Sequence, residues 1–384
     1  MWKRAVFALF AVAAGTNVPT PLLLVYQERL DLSPEVLTAL FGVYAAGLVP
    51  ALLLAGPLSD RLGRRRVAIP GIVLSAIASL AFAAAGDSLA LLFLARFAQG
   101  VVSGVVFSVG SAWVGELSLA SGEGAGGRRA AFAMTAGFSL GPLTSGLLGQ
   151  YAPAPTVLPY LIHVALVAVG LTLATRLPET VDLLHASRRG PDRTPDAPLI
   201  RAGDGLLVVT VLAPVAVCVY AFPSTIINAV PLLVELPYGG VAVTGVLAGV
   251  TLGAGTVVAG LQRRFRAWTA VVGAGLGAVG FAAAAAFAAT GVLPWLVVAS
   301  PLLGAGGGLC LAAGLTLTAR LAAPGRLGAL TSLFLACAYV GFAAPFAMAV
   351  AARATSASVP LAVGAALTGA LAVRLLPVAR VGRL

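Results

Sequence analysis

The sequence predicts an all-α integral membrane protein of twelve transmembrane helices in two six-helix bundles, and three observations carry that reading. Hydrophobic residues make up 60% of the 384 and charged residues 10%, far below the charge of soluble domains. The apolar residues fall into runs of about 20, the length that crosses a bilayer as a helix. Of the 24 basic residues, 21 fall in alternate connections between those runs or at the chain ends, counting Arg374 at the very end of the last run, as the positive-inside rule requires of one face.

The spans expected in order are Ala5–Tyr26, Val36–Leu58, Val67–Ala85, Leu89–Gly115, Ala130–Tyr151 and Val157–Ala174 in the first half. The second half adds Leu206–Val234, Val241–Leu261, Thr269–Thr290, Leu293–Ala319, Leu327–Ala351 and Val359–Leu376. The first run follows Lys3 and Arg4 and resembles a signal peptide at its start. It continues to Tyr26, too long for a cleaved apolar region, and is expected as the first helix. A missed or extra helix would scramble the charge alternation, so both chain ends are expected on the cytoplasmic side of a plasma membrane.

Domain boundaries follow from the longest polar connection, Glu179–Asp204, which carries Pro191, Pro195 and Pro198 among charges. It divides the chain into an N-terminal bundle (1–178), a cytoplasmic linker (179–204) and a C-terminal bundle (205–384). Weak internal symmetry agrees: PLLLV ends the first span at Pro21–Val25 and PLLV ends the seventh at Pro231–Val234. Parallel repeats of this kind place a substrate site between the halves near the midplane.

The densest signal is GPLSDRLGRRR at Gly56–Arg66. Charge at this density is excluded from hydrocarbon, where one Arg costs about 2.5–3.5 kcal/mol at a helix centre, so the segment is a turn at a membrane face. The loop around Ala259–Ala267 repeats its glycine and arginine character without the acid, Arg263 standing where Asp60 would align.

Several function classes are excluded or disfavoured. A net charge of +11 would suit nucleic acid in a soluble protein, but here the arginines cluster between apolar runs, so no nucleic-acid partner is expected. Lys3 is the single lysine, too near the end for a mid-membrane Schiff base. Cys218, Cys310 and Cys337 stand singly in apolar stretches without metal-type or redox-type spacing. No cofactor or metal is expected, and the spans hold no cluster of His and acid that would make the protein an enzyme.

At these residues the chain resembles the major facilitator superfamily, over nearly its whole length. The loop signature between helices two and three is matched at Gly56, Asp60, Arg61, Gly63, Arg64 and Arg65. A helix-four signature is matched at Arg96, Gln99 and Gly100, and a glycine-rich helix-five signature at Gly137, Gly141, Pro142 and Gly146, with Ser145 at a usual glycine. Leu177, Pro178, Glu179 and Thr180 are similar to family usage after helix six. The helix-five signature is found mainly in antiporters that export drugs or metabolites. The resemblance implies a secondary transporter working by alternating access.

The resemblance also implies roles, each beside a plainer reading. Asp60 would latch the two halves at the start of helix eleven, where a carboxylate gains about 0.3–1 kcal/mol from the helix dipole; otherwise it offsets its neighbouring arginines. Arg65 and Arg66 are expected to contact lipid headgroups. Arg96 lies about 11 Å into its span, and Asn17 about 14 Å deep in the first, so Arg96, Gln99 and Asn17 are expected at one level. There the arginine either supports proton-coupled exchange or clamps carbonyls freed around Pro19 and Pro21.

The small-residue ridge Gly137 and Gly141 is expected to face Gly245, Gly249 and Gly253 across the halves, packing within one half being the alternative. Gly304–Gly308 is expected to bend helix ten. Candidate substrate contacts are Asn17, Tyr26, Tyr44, Phe138, His163, Tyr220, Phe222, Asn228 and Tyr339, a set suited to a small, largely apolar solute. His163 titrates near neutral pH when unperturbed. No Asp or Glu falls at mid-membrane; Glu28, Glu35 and Glu235 mark outer ends.

The leading expectation is a monomeric exporter of a small solute in exchange for protons. A proton-independent facilitator or importer is the second reading. A transport-inactive receptor or scaffold is the third, and the intact Asp60 and Arg64 pair argues against it.

Overall fold

The computed structural model describes residues 1–121, 125–181, 199–200, 203–234, 240–259, 262–321, 323 and 327–382. Most of the expected linker therefore lies outside the described residues. Eleven helices among those described are long and apolar enough to cross a membrane, and a twelfth apolar helix, Leu158–Ala174, has 17 residues. At 1.5 Å per residue that shorter helix reaches about 25 Å, enough with slight local thinning of the bilayer.

The crossings are α1 (Trp2–Leu30), α2 (Pro34–Leu62), α3 (Arg64–Ala83), α4 (Leu89–Glu116), α5 (Ala125–Tyr151) and α6 (Leu158–Ala174). They continue as α7 (205–233), α8 (Gly240–Ala259), α9 (Thr269–Thr290), α10 (Leu293–Leu321), α11 (327–354) and α12 (Ser358–Arg380). No strand occurs among the described residues. Two compact units divide the chain: Met1–Thr194 with Gly240–Gly249, and Pro195–Gly239 with Val250–Leu384.

Three spans depart from a plain helix. The first is two pieces, Trp2–Thr16 and Pro19–Leu30, because Pro19 and Pro21 have no N–H for the carbonyls of Gly15 and Asn17 four residues earlier. The seventh carries two π-helical turns, Val208–Leu212 and Thr225–Ala229, a local widening that frees backbone groups. The eleventh tightens to a 3₁₀ turn at Gly341–Ala343 just before Pro345.

The Gly304–Gly308 run has a packing role that the sequence did not suggest. That stretch lies inside one uninterrupted α-helix, Leu293–Leu321, and its glycines serve close approach. A Cβ on Gly304 would collide with the Thr251 carbonyl, and one on Gly308 with the backbone of Gly255. Glycine removes those side chains so that α8 and α10 touch backbone to backbone.

In the first unit, α1 is the hub, packed against α4, α5 and α6, while α2 lies on α4 and α3 on α4 and α6. Its core joins Leu9 and Val12 to Val102, Val106, Trp113 and Val167. In the second unit α9 packs on α10 and α12, and α7 on α10 and α11. Large apolar side chains such as Leu54, Ile77, Val257, Leu367 and Val373 point outward, where lipid takes the place of a core.

Candidate functional site

The deepest polar cluster of the first unit grows from the break in α1. Pro19 cannot donate to the Gly15 carbonyl, which keeps a long backbone bond of 3.3 Å from Val18. Gln99 Nε2 takes the vacated acceptor at 2.6 Å. Thr20 turns its N–H to Asn17 at 3.2 Å, and the Thr16 carbonyl receives Arg96 Nη1 at 3.4 Å. Arg96 Nη1 also donates to Gln99 Oε1 at 2.6 Å, and its guanidinium carbon sits 4.6 Å from the Tyr44 ring centroid.

Arg96 is only 3% exposed, so this charge is held by neutral dipoles and a ring face. Charge-assisted hydrogen bonds and cation–π attraction are both strongest where water is excluded. The close fit needs Gly100, where a Cβ would run into the Tyr44 carbonyl. Arg96 and Gln99 therefore meet as expected, whereas Asn17 turns away: its Nδ2 donates to the Phe138 carbonyl at 3.5 Å. That carbonyl lies four residues before Pro142, which has no hydrogen to give it.

The expected glycine ridge is corrected. Gly137 and Gly141 pack on α1 within the same unit, against Ala13 and Ala14. The meeting with α8 lies one turn further along α5, where a Cβ on Gly146 would stand 2.7 Å from Gly245 Cα and one on Gly245 2.5 Å from the Pro142 carbonyl. Ser139 Oγ donates to the Gly249 carbonyl at 2.7 Å beside it. A helix at 3.6 residues per turn presents Pro142 and Gly146 on one face and rotates Gly137 away from it.

The turn between α2 and α3 is built around Gly63, whose φ of +100° lies where side chains are strained. Arg64 folds back over it. Its Nε and Nη2 donate to Glu116 Oε1 at 3.1 and 2.9 Å, and its Nη1 to Ser59 Oγ at 2.5 Å. Glu116 also accepts the Thr180 hydroxyl. The Glu179 carboxylate accepts the N–H groups of Arg64 and Arg65 at 2.8 and 3.0 Å, and those of Thr180 and Val181 at 3.0 and 3.2 Å. Partial burial pushes the Glu179 carboxyl up, but its four backbone hydrogen bonds together outweigh this and hold it below the ordinary value.

Glu116, Glu179, Ser59 and Thr180 were not among the expected site residues. The signal available was chemical: an acid closing the fourth span and another closing the sixth, both on the face that carries the arginine run. Trp113 completes the join by donating to the Pro178 carbonyl at 3.1 Å. Arg61 and Arg65 are exposed, and Gly56 lies near Ser108, to which a Cβ would come within 3.3 Å. The side chains of Asp60 and of Leu327 at the start of α11 lie outside what is described, so the expected latch is not described.

The candidate substrate contacts divide into packing and polar groups. Tyr26 is fully buried and donates to the Phe82 carbonyl at 3.4 Å. Phe138 meets Phe107 edge to face at 5.2 Å, and Phe222 meets Phe281 at 5.7 Å. His163 Nε2 faces the Ala11 carbonyl at 2.9 Å and its Nδ1 the Ser79 hydroxyl at 2.7 Å. Because a carbonyl only accepts, Nε2 carries the hydrogen, and the neutral ring satisfies both contacts.

Within the second unit Tyr220, Tyr339 and Phe342 stack, with centroids 4.7, 5.0 and 5.6 Å apart. The two tyrosine hydroxyls lie 3.4 Å apart. Asn228, in the second π turn of α7, is 7% exposed and its Oδ1 accepts no hydrogen bond among the described residues. A buried acceptor without a donor is costly unless a ligand or water supplies one.

A family model described as Major Facilitator Superfamily matches residues 5–345. Multidrug resistance protein MdtL of Shewanella oneidensis is 40% identical over 82 residues, 21% of this chain and 20% of that protein. Its namesake in Escherichia coli O45:K1 is 42% identical over 80 residues, with 21% and 20% covered. The chain thus spans about a fifth of the length of the curated relatives it matches. A POT family transporter in complex with 5-aminolevulinic acid matches with a TM-score of 0.79 at 13% identity, over 99% of this chain and 96% of that one. A peptide transporter POT in complex with sulfate matches at 0.79 and 16%, over 100% and 95%. At such identities the likeness is one of fold.

Proposed function

Because the chain belongs to the Major Facilitator Superfamily, we propose that this multi-pass membrane transporter exports a small, largely apolar solute in exchange for protons by alternating access. Burial of Arg96 against Tyr44, Gln99 and the broken α1 is the observation that carries the reading. An intramembrane charge is expensive, and it is kept where a pathway or relay needs it. The short segment shared with multidrug resistance proteins supports export, as does the glycine and proline character of α5.

The solute is proposed to be apolar with at least one hydrogen-bond donor. The stacked rings of Tyr220, Tyr339 and Phe342 offer flat apolar area, and Asn228 Oδ1 is an acceptor in need of a donor. Aromatic surface with a few placed polar groups is the usual lining of small-molecule sites. The arginine-rich face is proposed to be cytoplasmic, in a plasma membrane, with the protein acting as a monomer. Gly56, Asp60, Arg61, Gly63, Arg64 and Arg65 are proposed to gate that face.

A proton-independent facilitator is the second reading, favoured by one observation: none of the thirteen acids of the sequence falls at mid-membrane. Solute flux in proteoliposomes under imposed proton gradients of either sign separates the two. Export by antiport predicts that reversing the gradient reverses net flux and that Arg96→Ala abolishes the response. Flux indifferent to the gradient selects the facilitator, and solute movement no faster than through empty vesicles overturns both.

A further inference from the structure

Helices α9 and α10 are antiparallel neighbours joined by two residues, so the start of one and the end of the other share a membrane face. At that face the second unit holds a cavity of about 380 Å³ with Arg266 from the turn before α9, Thr269 from its start, and Thr316 and Arg320 from the end of α10. Among the described residues no Asp or Glu lines it. Two arginines lining one partly enclosed space, Arg320 also donating to the Gly382 carbonyl at 3.5 Å, raise its potential and concentrate anions there.

Three further features fit one class of anion. Thr269 and Ala270, in the first turn of the 22-residue α9, line the same cavity, and the start of a helix attracts negative charge. The inner wall is apolar, made by Val211, Val215 and Leu317. Trp268, next in the chain to the lining residues, is 41% exposed, and exposed tryptophan at the end of a crossing sits at headgroup level. A ligand matching all of these is anionic at one end and apolar at the other.

We propose that the cavity binds the phosphodiester headgroup of an anionic phospholipid, with Arg266 and Arg320 on the phosphate and the acyl chains leaving along the apolar wall. The site is separate from the buried Arg96 cluster and does not depend on the transport reading. Arg266 has a φ of +50°, and Thr269 Oγ1 fastens its carbonyl at 2.6 Å. The chain thus holds an arginine in a conformation that favours glycine, a strain that serves to aim its side chain.

Native mass spectrometry of the purified full chain, titrated with dioleoyl phosphatidylglycerol or dioleoyl phosphatidylcholine, tests the proposal. The anionic lipid should be retained preferentially, and the double variant Arg266→Gln with Arg320→Gln should bind it about thirtyfold more weakly, at roughly one surface charge's worth per arginine. Arg264→Gln removes an equal charge from the same loop outside the cavity and should leave retention near wild type. Arg266→Gly relaxes the backbone while deleting the charge, so it should fold at least as well as wild type and still lose about fivefold in lipid affinity. Competition by millimolar inorganic phosphate would support the anion site but assign it to a soluble phosphate. Equal retention of the two lipids, or equal losses in Arg264→Gln and Arg266→Gly, would overturn it.

Discussion

The Glu179 carboxylate accepts the backbone N–H groups of both Arg64 and Arg65, at 2.8 and 3.0 Å, so the chain leaving α6 caps the first turn of α3. A cap from 115 residues away does two things: it satisfies orphan helix donors and sets a negative charge at the positive end of the dipole. Gly63 makes room for it, since any Cβ there would strike the carboxylate. The arginine-rich turn is thereby tied to the ends of α4 and α6 within one unit.

Removing the charge should therefore weaken the turn in a pH-dependent way. Glu179 is held below its ordinary value of 4.5, so its contribution is complete above that value and is lost as pH falls through the lower folded-state pKa. Glu179→Gln is expected to lower the melting temperature at pH 7, with the gap to wild type closing below about pH 4.5. A gap that is constant with pH would show that the cap works without its charge.

Arg64 and Glu116 should be coupled to each other more strongly than an exposed pair. Their side chains are 11% and 30% exposed, with Nη2 to Oε1 at 2.9 Å, and the bidentate geometry suits arginine alone. A double-mutant cycle with Arg64→Ala and Glu116→Ala, read by thermal unfolding in detergent, is expected to give about 0.5–3 kcal/mol of interaction. Arg64→Lys should recover only a minor part of it. A coupling indistinguishable from zero would reduce the pair to surface decoration.

Contacts of backbone on backbone should tolerate no added methyl. Gly100→Ala would push its Cβ into the Tyr44 carbonyl, and Gly245→Ala into the Pro142 carbonyl and Gly146. Each is expected to cost about 1–3 kcal/mol or more, as overpacking does. Gly86, where a Cβ would meet nothing within 4 Å, has a φ of +52°, so Gly86→Asn, whose side chain tolerates that region, serves as the mild control. Melting temperatures of the three variants should rank accordingly.

The Arg96 cluster should respond to geometry as well as to charge. Gln99→Leu takes the short side-chain donor from the Gly15 carbonyl and one acceptor from the Arg96 guanidinium, an expected loss of about 1–3 kcal/mol. Arg96→Lys keeps the charge but loses the planar fork and its stacking on Tyr44. If both variants fold yet lose solute flux, the cluster belongs to mechanism; flux equal to wild type in both would leave it a clamp on the broken α1.

Much of this was legible in the chain, for reasons that differ by element. Apolar length and arginine alternation located the crossings, and α9 spans the residues expected, Thr269–Thr290, because Arg266 and Gly291 bracket a run with no other polar interruption. The pairing of Arg96 with Gln99 was legible too, since three residues along a helix share a face. What escaped was set by backbone orphans. Pro19 and Pro142 each free a carbonyl, and which side chain arrives to fill it depends on the neighbouring helix. Asn17 and Gln99 therefore part company although their depths match. The acids Glu116 and Glu179 escaped because their partners lie 52 and 115 residues away, a separation that no local pattern records. The close contact at Gly304–Gly308 escaped because it is set by the facing backbone of Thr251 and Gly255, which no local pattern records.

Export by antiport, as proposed, moves a solute against the direction of proton flow. The most direct measurement is the uptake of a panel of fluorescent, largely apolar dyes into proteoliposomes whose interior is acidified relative to the bath. Antiport predicts accumulation of at least one dye above empty vesicles, collapse of that accumulation when the pH gradient is dissipated, and its loss in Arg96→Ala. Dye levels identical in loaded and empty vesicles under either sign of gradient would contradict it.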